Sequence, residues 1–256
     1  MAFIVLLVTL PYFILPTVGT SLIPSDLFPY LWVAGVILPF ALFIQFVAIL
    51  IAAGAMSEEY EAGTAEILLA KPVSRTEFFV GKYLGGYLLL AGMIVLDAGL
   101  SVFAASVTYG AQAGLEILPG IVLVEIFAST LFYTVAFMVG ELVRRSSLAY
   151  ILASAVFFSS DIMGTYLSIA YGLTGKAVYL TIRMYLPTTI VGSIPPQYTQ
   201  PLLPGSAAKL IELIGGPAGG SLPEASGALL VAAYFAVGFS VALAYFRWAD
   251  VSRRVS

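Results

Sequence analysis

The chain has 256 residues, 61% of them apolar or aromatic and 10% charged, with a net charge of −3 and a mean hydropathy of +1.02. Soluble domains carry about 45–50% apolar and about 25% charged residues, so a soluble globular protein is excluded, and a disordered chain with it. With no Cys and no His, disulfides, thiolate or imidazole metal sites and histidine bases are excluded too, and no basic stripe offers a surface to nucleic acid.

An uncharged apolar run of about 20 residues crosses ~30 Å of hydrocarbon as a helix. Six runs qualify, and they predict an all-α polytopic membrane protein, one transmembrane domain over 1–256. The first run, 2–20, contains Pro11 and Pro16. Met1-Ala2-Phe3-Ile4 has no basic side chain, which argues for a retained span over a cleaved signal peptide. The second, 30–56, contains Pro39, and kinks are expected at Pro11 and Pro39 because neighbouring helices re-satisfy the freed carbonyls. The third, 83–109, carries Asp97; the fourth, 118–142, carries Glu125 and Glu141; the fifth, 148–172, carries Asp161; the sixth is 225–246. A connection as long as 173–224 should have structure of its own. Short helices are predicted at 175–185 and 206–214, the latter stopped by Gly215-Gly216-Pro217. Extended or turn geometry is predicted at Pro195-Pro196 and Pro201-Leu202-Leu203-Pro204.

Positive charge sets the orientation. The connections on the N-terminal side hold Lys71, Arg75, Lys82, Arg144, Arg145, Arg247, Arg253 and Arg254; the opposite side holds only Lys176, Arg183 and Lys209. Both termini are therefore expected in the cytoplasm, with the chain in the cell membrane.

The connection 57–82 carries the most local information. Gly63 permits a turn that other residues resist, and Thr64 can cap a helix over 65–70 in which Glu66 meets the positive helix end. Ile67, Leu68 and Leu69 form its apolar side, and Pro72 stops it. Ser74-x-x-Glu77 is a capping box, from which a new helix runs through Arg75 and Lys82 into the third span. The pattern predicts a short helix, a tight corner and a rigid lever.

These residues carry a resemblance. Glu59, Glu61, Gly63-Thr64, Leu68-Leu69, Pro72-Val73-Ser74-Arg75 and Gly81-Lys82 resemble the signature of type-2 ABC transporter permeases, and Ala244-Tyr245-Phe246-Arg247 with Asp250 is similar to that family's closing segment. The resemblance covers nearly the whole chain, except that Met1 opens directly into apolar sequence where the family usually has an amphipathic, basic interfacial helix. It implies a six-span exporter subunit with no catalytic, metal or cofactor site of its own, whose ATP and Mg are held by a separate ABC ATPase. It also implies a second permease copy and a substrate path between the two copies. The loop after the second span is then the coupling helix, with Ile67, Leu68 and Leu69 docking and Glu59, Glu61 and Arg75 as polar contacts. The apolar lining favours lipids, drugs or apolar peptides as cargo. No Gly-x-x-x-x-Gly-Lys-Ser/Thr phosphate loop occurs in the chain, in keeping with a borrowed ATPase.

Asp97, Glu125 and Asp161 lie inside spans, where a charge costs at least ~2.5 kcal/mol, so each should face protein or water. They either line a substrate or proton path or act as interhelical glue through hydroxyls such as Ser101, Ser160 and Thr165; the lack of intramembrane Lys or Arg favours glue. A membrane-embedded hydrolase or transferase would need two of these carboxylates to converge on one wet site. A secondary transporter would show repeated halves with broken spans, and no repeat is visible. Glu141 sits one turn from Arg144 and Arg145 as a local ion pair, and Gly81-x-x-x-Gly85 allows close packing within the chain or between copies.

Overall fold

Pro39 removes an amide hydrogen from the middle of a long apolar run, and the helix answers by widening. In the computed structural model, which describes residues 24–64, 74–213 and 221–248, a 3-10 turn (Ser25–Tyr30) leads into α1 (Leu31–Pro39). A π-helical turn follows over Phe40–Ile44, and α2 (Gln45–Glu61) continues the span. Proline and π turns are the usual origins of helix distortion. The buried Gln45 turns its amide back to the Phe40 carbonyl at 3.3 Å, satisfying a backbone acceptor inside the widened turn. Pro39 does not break the span, and a local change of pitch follows it. Pro11 and the 2–20 run lie outside the described residues.

Four further helices are long and apolar enough to cross a membrane: α3 (Arg75–Tyr109), α4 (Leu118–Val143), α5 (Ser146–Thr174) and α9 (Glu224–Trp248). With Ser25–Glu61 that makes five candidate spans among the described residues, at the places the sequence predicts, and no strand is present there. At 35 residues, α3 is about 52 Å long. That exceeds ~30 Å of hydrocarbon by several turns.

Between α5 and α9 run α6 (Val178–Met184), α7 (Pro187–Thr199), a 3-10 turn (Gln200–Leu202) and α8 (Gly205–Leu213). The two short helices expected from sequence are α6 and α8. The Pro201–Pro204 segment is a turn with Leu203 extended, as predicted. The Pro195-Pro196 prediction fails: both prolines lie inside α7. Tertiary packing overrides the local preference here, because Ile190, Val191, Ile194, Pro195 and Pro196 form a buried face. The backbone bears the consequence, since a proline has no N–H to give the residue four positions earlier.

α4 is the central helix, packed against α2, α5, α7 and α9. A Cβ on Gly140 would come within 2.5 Å of the Ala53 carbonyl oxygen, so the α2 and α4 backbones touch there. An aromatic cluster joins α3, α4 and α9: Phe79 lies 5.2 Å from Phe137 and 5.3 Å from Phe246, and Tyr83 lies 5.0 Å from both Tyr133 and Phe239 between ring centroids. Tyr133 donates its hydroxyl to the Tyr83 carbonyl at 2.8 Å. A second, smaller core gathers α1, the C-terminal part of α3, and α8 around the fully buried Trp32, whose indole N–H reaches the Ala113 carbonyl at 2.8 Å. Leu88, Phe103, Ile162, Leu229 and Val237 point outward, as on helices whose outer face meets lipid.

Candidate functional site

Successive helical residues point about 100° apart, so four in a row fan out in four directions. At the end of α2, which is flanked by α3, α4 and α5, the residues Glu58-Glu59-Tyr60-Glu61 do this and each reaches a different place. Glu58 accepts a hydrogen bond from the Tyr150 hydroxyl of α5. Glu59 pairs with Lys82 of α3 and accepts from the Thr64 hydroxyl. Tyr60 donates to the Glu141 carboxylate of α4. Glu61 accepts the Ser146 backbone N–H at 3.0 Å and its hydroxyl as well. That last contact supplies a carboxylate to the start of α5, whose own first residue before the helix, Arg145, provides no side-chain cap. Orphan N–H groups and the positive helix end both favour an anion there.

The loop residues on either side of the undescribed 65–73 segment are anchored in their turn. Gly63 takes φ +68°, the left-handed conformation expected of it. Thr64 turns its hydroxyl back to Glu59, serving the end of α2; any capping of a following helix lies outside the described residues. On the far side of that segment the predicted capping box is formed: Ser74 Oγ accepts the Glu77 N–H at 3.2 Å, and Glu77 accepts the Ser74 N–H at 2.9 Å. Arg75 opens α3 on an exposed surface, and the next residue, Thr76, accepts from Arg247 of α9 at 3.0 Å. The predicted short helix with Ile67, Leu68, Leu69 and Pro72 lies outside the described residues.

The expected Glu141–Arg144 pair is present at 3.4 Å, with more built on it than the spacing implies. Glu141 is fully buried, and the Arg144 guanidinium lies 4.5 Å from the Tyr60 ring and 5.2 Å from that of Tyr245. Arg144 itself holds φ +56°, ending α4 in a conformation normally left to glycine. No sequence signal pointed to Tyr60, Tyr150 or Tyr245 as members of this cluster; tyrosines near a membrane surface read only as belt residues.

Of the three intramembrane acids, two come together and the third stands apart. Asp97 and Glu125 are both 1% exposed, on α3 and α4, near enough for their charges to interact. Both Asp97 oxygens, Glu125 Oε1 and the Ser101 hydroxyl one turn along have no hydrogen-bond partner. Asp161 lies elsewhere, lining a cavity of about 290 Å³ with residues of α6 and α7. Of the hydroxyls expected to bind acids, Ser160 instead bonds Thr188 at 2.8 Å and accepts its N–H at 3.1 Å. Gly81 and Gly85 pack on nothing among the described residues: a Cβ at either would meet no atom within 4 Å.

The sequence model of the family described as ABC-2 family transporter protein matches residues 13–251. The chain belongs to the ABC-2 transporter family. No curated protein matches it. As an ABC-2 transporter protein it is the multi-pass membrane subunit of an ABC transporter, a kind of subunit that typically works with an ABC ATPase and generally has no catalytic site of its own. The reading as a membrane-embedded hydrolase or transferase has no support from the family.

Proposed function

We propose that this ABC-2 transporter protein is the permease of an exporter of apolar or amphipathic substrate, driven by a separate ATPase that seats on the 57–82 connection and holds the ATP and Mg. A second permease copy completes the substrate path, and both termini face the cytoplasm. The observation that supports this reading is the fan of Glu58 to Glu61, which ties the end of α2 to α3, α4 and α5 beside that connection. A partner that moves the connection moves α2 through the Gly63 turn and α3 through the Ser74 cap. The aromatic cluster carries α9 along with α3. Differential contact with the ATPase in its open and closed states then shifts the population between inward- and outward-open bundles.

The test uses the absence of native cysteine. A single cysteine at Arg75 should react with an impermeant maleimide only from the cytoplasmic side. In liposomes containing the co-expressed ATPase, Arg75→Ala should lose permease-stimulated ATP hydrolysis while the bundle stays folded. Labelling from outside, or unaltered stimulation, overturns the docking assignment.

A further inference from the structure

The cavity between α5, α6 and α7 is polar in an otherwise apolar region. It is lined by Asp161 and Thr165 of α5, Arg183 of α6, and Thr188, Thr189 and Gly192 of α7, among others. Asp161, about 22 Å along α5 from Ser146, the end held by Glu61, is near the middle of that helix, and Thr165 and Ser168 carry the lining further from the Glu58–Glu61 cluster. It therefore belongs to neither the proposed ATPase contact nor the Asp97–Glu125 pair.

Three features define what it can hold. Arg183 already has an interaction within the chain, and its guanidinium, with five N–H donors in a planar fork, has the capacity to serve a phosphate as well. Asp161 offers a carboxylate, which would repel a plain anion but pair with a cation. Gly192 offers a backbone acceptor for a reason visible in the sequence: the residues three and four positions on are Pro195 and Pro196, so neither helical amide that could bond its carbonyl exists. A Cβ on Gly192 would meet nothing within 4 Å, so the cavity has room at that point. At about 290 Å³ it is at the lower limit of ligand pockets, about 300–1,000 Å³, and takes a small polar group. The next face of α5 is exposed and apolar, with Ile162, Tyr166 and Ile169 all more than half exposed.

We propose that this cavity binds the headgroup of a phospholipid carrying a primary ammonium, with the phosphate at Arg183, the ammonium at Asp161 and the Gly192 carbonyl, and the acyl chains along Ile162, Tyr166 and Ile169. The shared chemistry is a zwitterionic phosphodiester; the apolar flank selects the bilayer as its source over a soluble zwitterion. This inference stands independently of the ATPase reading.

The full chain in mild detergent is titrated with phosphatidylethanolamine, and bound lipid is counted by native mass spectrometry. The wild type is expected to retain one such lipid per chain in preference to phosphatidylglycerol. Gly192→Leu, which adds a side chain into the cavity while relieving a helix of a glycine, should abolish retention at unchanged melting temperature. Asp161→Asn should weaken phosphatidylethanolamine about tenfold, the worth of one charge-assisted hydrogen bond, and leave phosphatidylglycerol unaffected. Arg183→Gln should weaken both. Retention of phosphatidylglycerol equal to phosphatidylethanolamine by the wild type, or wild-type retention by folded Gly192→Leu and Asp161→Asn, overturns the proposal. Free phosphoethanolamine competing as well as the lipid overturns the bilayer source.

Discussion

Tyr60 of α2 donates its hydroxyl to both oxygens of the Glu141 carboxylate on α4, at 2.9 and 2.8 Å, across 81 positions of sequence. Glu141 has no access to solvent, and Arg144, 3.4 Å away, is its other partner. A buried carboxylate that loses one partner keeps its desolvation cost, and a hydrogen bond to a charged group contributes about 1.5–3 kcal/mol. Tyr60→Phe removes only the hydroxyl. It is expected to lower the melting temperature of the purified chain by about 3–10 °C, read by intrinsic fluorescence. No measurable shift would show that Tyr60 does not support Glu141.

Arg144 combines an unfavourable backbone with favourable side-chain contacts. Replacing it with Ala or Gly removes the ion pair and both ring contacts alike, but only Gly takes φ +56° without strain. Arg144→Ala should therefore be less stable than Arg144→Gly by about 1 kcal/mol, with both below wild type. The reverse order would mean that the turn relaxes when the side chain is lost.

Two glycines, Gly140 and Gly85, should behave oppositely. Gly140→Ala forces a methyl to within 2.5 Å of the Ala53 carbonyl oxygen, a backbone atom that can give way only by parting α2 from α4, so a loss of at least about 2 kcal/mol is expected. Gly85→Ala meets nothing and replaces a poor helix former with a good one, so the folded chain should be unchanged or up to about 1 kcal/mol more stable. Thermal unfolding in one detergent compares them directly.

The Glu59–Lys82 pair is partly exposed, with side-chain accessibilities of 21% and 31%. Exposed pairs contribute about 0.2–1 kcal/mol to folding. Glu59→Gln should thus shift the melting temperature by no more than about 4 °C, while lowering permease-stimulated ATP hydrolysis severalfold if this end of α2 transmits the partner's motion. A double-mutant cycle with Lys82→Met should show the two changes to be non-additive in that activity.

What the sequence reveals and what it hides divides along range. The Ser74–Glu77 box, the Gly63 turn and the Glu141–Arg144 spacing are local, decided by residues three or four apart, and all are present as read. The spans are readable because twenty apolar residues admit few alternatives. The partners of Glu58, Tyr60 and Glu61 lie more than eighty positions away, and nothing near those residues specifies them. Glu59 and Glu61, read as contacts for another subunit, already hold partners within the chain. Pro195-Pro196 failed for the opposite reason: a clear local preference was overridden by burial of the α7 face. Asp161 and Arg183 lie more than twenty positions apart in sequence, and only the fold places them around one cavity.

The wide turn at Phe40–Ile44 has a consequence for how this polypeptide tolerates change. Before it, Trp32, Val33 and Val36 belong to one packing territory; after it, Ala48, Ile49, Ala52 and Ala53 belong to another. The surplus residue sets the rotational phase between these two halves of a single crossing. Deleting one residue there would restore ordinary pitch and swing one half by about 100° relative to the other. Trp32 would then lose its reach to Ala113, or the small residues of α2 their fit against α4, so a one-residue gap in this stretch should be far more damaging than a substitution at any of its five positions.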